Sequence, residues 1–356
     1  MQVALIQQNP TVGAIVSNSE LATRSAVAAH AAGADLAVFS ELFVSGYPPK
    51  DLLRREGFAE ACDRAVEALA RRVPAELGVL IGHPSARGLP AGRVANACSL
   101  LYQGQIQSTV HKLLLPNYDV FDERRYFRPA DGVAPLKFGG KRLGVHICED
   151  AWWGEPDTFY HTDPEAFPDP VARLAEQGVD VLINVSASPF EVGKPARRRD
   201  LVQRHVAKHR VPFLFVNQVG GNDDLVFDGN SLAVDARGGV IEQLAGFRDD
   251  FRMIELDSLP APREFPLAGH EADLLDAAVL GLKDYMRKSG FTDCVLGLSG
   301  GIDSSLAAYI ARGKTGRCRT GAGARVDDAQ PVQFATQRGR FVGGWHVRWG
   351  WMHVGD

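Results

Sequence analysis

Three residues of this chain have side chains that could together hydrolyse an amide: Glu41, Lys112 and Cys148. Cys148 directly follows the apolar stretch at residues 143–147, which predicts a strand that ends at the cysteine. Taken alone, such a cysteine is more often a small buried hydrophobe, and a lone Glu or Lys is usually solvated surface. Here Glu41 and Lys112 both lie among apolar neighbours, which favours a chemical role for all three.

The chemistry explains why these residue types belong together. The thiolate is the nucleophilic form of cysteine, and a neighbouring carboxylate can take its proton and pass it to the leaving amine. A nearby ammonium lowers the pKa of the thiol and stabilises the oxyanion of the tetrahedral intermediate. The carboxylate can then activate the water that hydrolyses the thioester. This reaction requires no metal.

A second segment whose residues could bind a ligand follows a predicted strand at residues 294–298 and opens a helix over 299–312. It consists of Gly297, Leu298, Ser299, Gly300, Gly301, Ile302, Asp303 and Ser304. Small residues at a helix N-terminus let backbone N–H groups approach an anion, so the segment predicts a phosphate site. No Lys follows the glycines, which distinguishes it from a P-loop. The alternative is a plain Gly-rich turn with serine caps.

Composition narrows the classes of protein that need consideration. The chain has 356 residues, is 45% hydrophobic and 23% charged, and carries a formal net charge of −4. This mixture suits an α/β protein and predicts no role on nucleic acids or membrane surfaces. The N-terminus lacks the pattern of a signal peptide, and no apolar run could span a bilayer. The five cysteines lack metal spacing, so we expect a reducing cytoplasm, no disulfides and no zinc site.

The elements that must position these residues alternate between strands and helices, which predicts an α/β sheet. Strands are predicted at 3–6, 36–39, 78–82, 95–103, 143–147, 181–185 and 213–217, and closing antiparallel strands at 231–234, 240–243 and 252–256. Helices are predicted from a capping box at residues 17–20 to Gly33, from the cap Asp169 with Pro170 in the first turn to Gly178, and over 58–72, 195–210 and 271–289.

The predicted domains are residues 1–257, a linker at 258–270, an incomplete second domain at 271–313 and an atypical tail at 314–356. The tail contains no Leu, Ile or Glu but holds three of the five tryptophans. It shows no period of 2 or 3.6. We expect it to be foreign to the rest of the chain, as in a frameshifted or truncated gene product, with a genuine disordered tail as the alternative.

Three segments resemble the Glu-Lys-Cys motifs of the nitrilase superfamily, and in particular the glutaminase domains of glutamine-dependent NAD synthetases. They cover residues 39–49, 112–123 and 146–150, and the resemblance extends over roughly 1–312. It implies a four-layer αββα sandwich with Glu41 as general base, Lys112 as the cation at the oxyanion and Cys148 as nucleophile. Glu123 would orient the lysine.

The same resemblance implies that Tyr118, Ser188 and Lys194 bind L-glutamine, and that the glutaminase half needs no cofactor. Residues 297–304 resemble the pyrophosphate loop of the N-type ATP pyrophosphatases, at the start of a Rossmann-type domain of the adenine nucleotide alpha hydrolase kind. The implied reaction uses ATP and Mg²⁺ to adenylate deamido-NAD⁺, which ammonia then converts to NAD⁺. The family implies a cytoplasmic homo-oligomer. A stand-alone nitrilase-type amidase and an inactive fragment remain alternatives.

Overall fold

The computed structural model describes residues 1–297, 299–315, 318–320, 334–335 and 341–342. Contacts divide the chain into two compact units, Met1–Asn222 with Val226–Ala268, and Asp223–Leu225 with Gly269–Asp356. The rest of the tail predicted at residues 314–356 lies outside the described residues. Among the described residues, every helix is too short or too polar to cross a bilayer.

The strands between residues 2 and 255 form two six-stranded mixed sheets and one two-stranded sheet. The strands are β1 Gln2–Gln7, β2 Leu36–Val38, β3 Gly78–Ser85, β4 Ala95–Tyr102, β5 Gln105–His111, β6 Leu136–Phe138, β7 Lys141–Ile147, β8 Val181–Ser186, β9 Phe213–Asn217, β10 Val219–Asn222, β11 Leu225–Asp228, β12 Leu232–Val234, β13 Val240–Gln243 and β14 Asp250–Glu255. The helices are α1 Ile15–Ala31, α2 Phe58–Arg72, α3 Pro170–Glu176 and α4 Lys194–His209.

The first sheet has the order β14-β1-β2-β3-β4-β5 and the second the order β13-β12-β9-β8-β7-β6. The centre of each sheet is parallel, with β1, β2 and β3 in one and β7, β8 and β9 in the other. Antiparallel strands close both edges. Ligand-binding groups in such sheets lie beyond the carboxyl ends of the parallel strands. We therefore expect the functional residues in the loops after β2, β7 and β8.

Successive side chains of a strand point to opposite faces of its sheet, so each sheet contributes to two layers of the core. One core cluster joins side chains from both sheets, such as Leu5 and Val38 from the first and Val145 and Ile183 from the second. A second cluster packs the outer face of the first sheet against α1 and α2, and a third packs the second sheet against α3 and α4. The predicted nitrilase-like αββα sandwich is therefore confirmed.

The sequence missed some elements and misplaced one helix start. Helix α1 begins at Ile15 with Ala14 as its cap, and no side chain caps it, so the capping box predicted at residues 17–20 is wrong. Asn18 instead accepts from Thr11 N and donates to Val44 O, because tertiary contacts supply better partners. The edge strand β5, the short β6 and the β10–β11 hairpin were not predicted. The cap Asp169 at α3 is confirmed, since its carboxylate accepts from Ala172 N at 3.0 Å.

The second unit contains α5 His270–Ser289, β15 Cys294–Leu296, α6 Ile302–Thr315, β16 Cys318–Thr320, β17 Phe334–Ala335 and β18 Phe341–Val342. Helices α5 and α6 pack together, and β15 pairs with β16 in parallel. The predicted strand, turn and helix occur in the expected order. However, β15 ends two residues earlier than predicted and α6 begins later, at Ile302.

A close approach between β3 and the turn after β2 fixes the position of Glu41. Phe39 N donates to Leu80 O at 2.9 Å, and Val44 N donates to Gly82 O at 3.1 Å. A Cβ at Gly82 would lie 2.4 Å from Leu42 N and 2.5 Å from Ser40 O. Only glycine allows the strand to approach this backbone, so Gly82 is part of the support of Glu41.

We expect Gly82→Ala to lower the free energy of unfolding by about 1–3 kcal/mol or more, because the added methyl group collides with rigid backbone. The matched control is Gly132→Ala, where an added Cβ meets no heavy atom within 4 Å. The control should change the free energy by less than about 1 kcal/mol. Urea unfolding followed by circular dichroism measures both, and equal effects would show that the close approach is not rigid.

Candidate active site

Glu41 lies in the turn after β2 and is completely buried. Its Oε1 accepts hydrogen bonds from Lys112 Nζ at 2.8 Å and from Asn96 Nδ2 at 2.7 Å. Its Oε2 accepts from the backbone N–H of Ala187, directly after β8, at 2.9 Å. Because β4 and β8 belong to different sheets, this one carboxylate is bonded to both.

Lys112 directly follows β5 and is 1% exposed. Its ammonium donates to Glu41 Oε1 and to Glu123 Oε1, both at 2.8 Å. Burial lowers the pKa of Lys112, but the carboxylates of Glu123 and Glu41 outweigh it and hold the pKa well above its usual value. The side chain is therefore a fixed, buried cation.

Glu123 opens a 3₁₀ turn at Glu123–Arg125 and is also buried. Besides Lys112, its Oε1 accepts from the phenol of Tyr47 at 2.8 Å. Burial raises the pKa of Glu123 to about 7, against the lowering effect of Lys112. Tyr47 and Asn96 escaped sequence reasoning, since nothing in their local pattern distinguishes them from core residues.

Cys148 stands at the end of β7, where a 3₁₀ turn at Cys148–Ala151 begins. Its φ of +43° is in the left-handed region, which is strained for a residue with a side chain. At Cys148 the chain leaves the sheet and enters the turn. The backbone carbonyl of Cys148 accepts from Asn184 Nδ2 at 3.3 Å. Such a sharp strand-to-turn junction presents the side chain at the end of the sheet.

The thiol lies close enough to Glu41 and Lys112 for both charges to act on its pKa. Burial raises the pKa of Cys148 well above its usual value, Glu41 raises it further, and Lys112 lowers it. The expectation that the ammonium lowers the pKa of the thiol is confirmed, but burial and Glu41 outweigh this contribution. In the resting site the sulfur therefore keeps its proton.

The expected ligand residues surround the same point. Tyr118 donates to Glu149 Oε1 at 2.6 Å. Glu149 lies close enough to Cys148 to raise the pKa of the thiol, and Cys148 in turn contributes to the raised pKa of Tyr118. Lys194 begins α4 and is mostly buried, with its ammonium 5.6 Å from the centre of the Trp152 ring. Burial and Arg198 lower the pKa of Lys194, whereas Glu191, whose carboxylate lies 3.9 Å from the ammonium, raises it, as do Cys148 and Glu149.

Ser188 follows Ala187, whose N–H binds Glu41, and its own N–H donates to Asn217 Oδ1 at 2.8 Å. The structure thus brings five of the predicted residues into one cluster with Cys148: Glu41, Lys112, Glu123, Tyr118 and Lys194. Ser188 lies one residue beyond Ala187, whose N–H binds Glu41. The buried acid Glu149 was missed as a possible ligand residue, although its position beside the cysteine in the sequence was a signal.

The second predicted site lies in the second unit, between β15 and α6. Its serines bond within the turn: Ser299 and Ser304 hydroxyls are 3.1 Å apart, and Gly301 N donates to Ser299 Oγ at 3.3 Å. Gly300 has a φ of +85°, and the segment is mostly exposed. Leu298 lies outside the described residues. The remaining members of the loop from Gly297 to Ser304 are described, including Ile302 and Asp303.

A buried carboxylate–ammonium–thiol cluster between the sheets of an αββα sandwich is the arrangement of a nitrilase-like protein. The model of the carbon-nitrogen hydrolase family matches residues 2–259. The chain therefore belongs to the carbon-nitrogen hydrolase family. The model of the NAD synthase family matches a second segment, residues 274–322.

Proteins of known name are similar to this chain over most of its length. The chain is 41% identical over 324 residues to a glutamine-dependent NAD(+) synthetase of Synechocystis sp., covering 87% of this chain and 56% of the relative. It is 36% identical over 357 residues to one of Thermotoga maritima, covering 89% and 59%. The chain thus spans little more than half the length of these relatives.

Solved structures agree on the fold. A glutamine-dependent NAD+ synthetase of Acinetobacter baumannii, in complex with adenosine diphosphate, superposes with a TM-score of 0.79 at 32% identity, covering 87% of this chain and 56% of that one. An amidase of Nesterenkonia sp. superposes with a TM-score of 0.60 at 22% identity, covering 72% and 92%. The second likeness bears on the fold alone.

His146, two residues before Cys148, provides a pH test of this buried region. Burial lowers the pKa of His146 to about 3 from 6.5. A histidine with a lowered folded pKa stabilises the fold above pH 6.5 and loses that contribution as the pH falls towards 3. Between pH 8 and pH 5 the loss is about 2 kcal/mol.

We expect His146→Leu to reduce the difference in unfolding free energy between pH 8 and pH 5 by about 2 kcal/mol relative to the unaltered protein. His30→Leu, at an exposed position in the last turn of α1, serves as control and should leave the difference unchanged. Urea titrations at the two pH values measure it. The same difference in all three proteins would contradict a neutral, buried His146.

Proposed function

We propose that the first unit hydrolyses L-glutamine to glutamate and ammonia, with Cys148 as nucleophile. The observation that carries the proposal is the buried ion pair of Glu41 and Lys112 beside the thiol of Cys148. A buried charge pair with perturbed pKa values at the end of a sheet is typical of a reaction centre. The similarity to glutamine-dependent NAD(+) synthetases supports glutamine as the amide.

The reaction begins with a protonated thiol, so attack and proton transfer occur together. Cys148 Sγ bonds to the amide carbon while Glu41 takes the sulfur-bound proton. Lys112 stabilises the negative oxygen of the tetrahedral intermediate. The C–N bond then breaks, Glu41 returns the proton to nitrogen, and ammonia leaves a thioester on Cys148.

Hydrolysis of the thioester completes the cycle. Water bonds to the thioester carbon as Glu41 accepts one of its protons, and the C–S bond breaks to release glutamate. The proton returns to the sulfur. Glu123 acts through Lys112, holding the ammonium in place, and the high pKa of the lysine keeps its charge throughout.

Tyr118, Ser188 and Lys194 are proposed to bind the amino-acid end of glutamine. Lys194 supports this because its side chain lies mostly out of water and its charge is close enough to Cys148 and Glu149 for both to raise its pKa. A buried cation suits an α-carboxylate, with which it forms a strong charge-assisted hydrogen bond. The site would therefore prefer glutamine over amides that lack a carboxylate.

We further propose that the ammonia serves the ATP-dependent amidation of deamido-NAD⁺ to NAD⁺, as the match of residues 274–322 suggests. The open turn with hydroxyls at the start of α6 fits a pyrophosphate group, and among the described residues a Cβ added at Gly297 or Gly300 would meet no heavy atom within 4 Å. Asp303, with Ser299 and Ser304, would face Mg²⁺, which commonly takes few protein ligands besides phosphate and water. The metal would neutralise the phosphate charge. A cytoplasmic homo-oligomer completes the proposal.

We expect Cys148→Ala to lower ammonia release from glutamine by on the order of 10⁴-fold or more, because no other group can form the thioester. Cys62→Ala is the matched control, since Cys62 is a buried cysteine of α2 remote from this cluster, and it should retain full activity. An ammonia assay with glutamine, with and without ATP and deamido-NAD⁺, measures both activities.

The outcomes separate the candidate functions. Ammonia without NAD⁺ indicates a glutaminase or stand-alone amidase, and NAD⁺ formation indicates that the second activity is also present. If the unaltered protein releases neither ammonia nor NAD⁺, the chain is an inactive fragment. Full activity of Cys148→Ala would overturn the assignment of the nucleophile.

We expect Lys194→Met to raise the KM for glutamine by about 10–100-fold, the value of a lost hydrogen bond to a charged group. Hydrolysis of propionamide, which has no carboxylate, should be nearly unaffected. Lys208→Met, on an exposed lysine in the last turn of α4, is the control and should leave both KM values unchanged. Equal losses on both substrates would contradict the assigned contact.

A further inference from the structure

Asp150 is a buried carboxylate, 1% exposed, that lies two residues after Cys148. Its Oδ1 accepts from the backbone N–H groups of Leu113 at 3.0 Å and Leu114 at 2.8 Å. Its Oδ2 accepts from the backbone N–H of Ile147 at 2.9 Å. One side chain thus satisfies three backbone donors that come from two distant segments.

These donors flank two reacting groups. Leu113 and Leu114 directly follow Lys112, whereas Ile147 directly precedes Cys148. Lys112 leaves the edge of the first sheet after β5, and Cys148 ends β7 of the second sheet. The carboxylate of Asp150 therefore ties the segment that carries the ammonium to the turn that carries the sulfur.

Both segments need such a tie. Residues 113–114 have left the sheet, so their N–H groups have no strand to pair with, and buried unpaired donors are costly. Cys148 holds a left-handed φ, which persists only where the surrounding contacts fix it. Asp150 supplies an acceptor to both at once. The side-chain amide of Asn96 and the N–H of Ala187, in contrast, donate to the carboxylate of Glu41.

Resting on the proposed glutaminase reaction, we propose that Asp150 is a positioning residue that sets the distance between the ammonium of Lys112 and the sulfur of Cys148. It touches neither substrate nor the reacting atoms. Its contribution belongs to the transition state, because the oxyanion forms between these two groups. Loss of the tie lowers kcat and leaves the binding of glutamine largely intact.

The test compares two variants that cut the tie at different ends. Asp150→Asn keeps one carbonyl oxygen but presents an amide N–H₂ to the second set of donors. Asp150→Ser retains an acceptor near Ile147 N and is too short to reach residues 113–114. Asp63→Asn is the matched control, because Asp63 is a buried carboxylate that accepts from Ser85 Oγ and Ala86 N, outside the reacting cluster.

The melting temperature should fall in all three variants. With kcat expressed per folded molecule, we expect a decrease on the order of 100-fold in both Asp150 variants, as for a misplacement of about 1 Å, with KM within about twofold. Asp63→Asn should keep the kcat of the unaltered protein. If one Asp150 variant does not fold, the other still tests the tie.

Unchanged kcat in a folded Asp150 variant, or an equal loss in Asp63→Asn, would overturn the role of Asp150. A rise in KM without a fall in kcat would overturn it as well. These results differ from failure of the proposed function, in which the unaltered protein itself releases no ammonia from glutamine.

Discussion

The buried ammonium of Lys112 is the constraint on which the rest of the site depends. An unpaired cation at this depth would cost several kcal/mol in lost hydration, so its pairing with Glu41 and Glu123 is obligatory. Two carboxylates around one lysine leave an excess of negative charge. The donors Tyr47 and Asn96 offset that excess by hydrogen bonding the carboxylates.

The same charges explain the state of the nucleophile. Glu41 opposes ionisation of Cys148 and Lys112 favours it, while burial opposes it most of all. A protonated thiol beside a carboxylate is suited to attack coupled with proton transfer.

The fold supplies this cluster by joining two sheets at their ends. The groups come from turns after β2, β5, β7 and β8, so no single segment holds the site together. Short backbone links make the junction rigid: the close approach at Gly82, the N–H of Ala187 on Glu41, and the carboxylate of Asp150. Rigid support of this kind keeps charged groups aligned without the cost of reorganisation during reaction.

The sequence alone determined the residue types and the alternation of strands with helices. Short apolar runs that alternate with helices predict an α/β sheet, because the burial of each element is encoded locally. The four-layer αββα sandwich followed from the family resemblance and not from this pattern. The acids and the lysine inside apolar surroundings identified Glu41, Lys112 and Cys148 as a group. A carboxylate cap such as Asp169 is likewise readable, since its bond is to a neighbour three residues away.

Only the tertiary structure decided which distant groups meet. Tyr47 and Asn96 act through contacts with residues far along the chain, as Asp150 does with Leu113 and Leu114, and no local pattern encodes such partners. The capping box at residues 17–20 failed for the same reason, because Asn18 found long-range partners. The net pKa of Cys148 also belongs to this level: it is a sum of burial and several charges, and each depends on distances that the sequence does not contain.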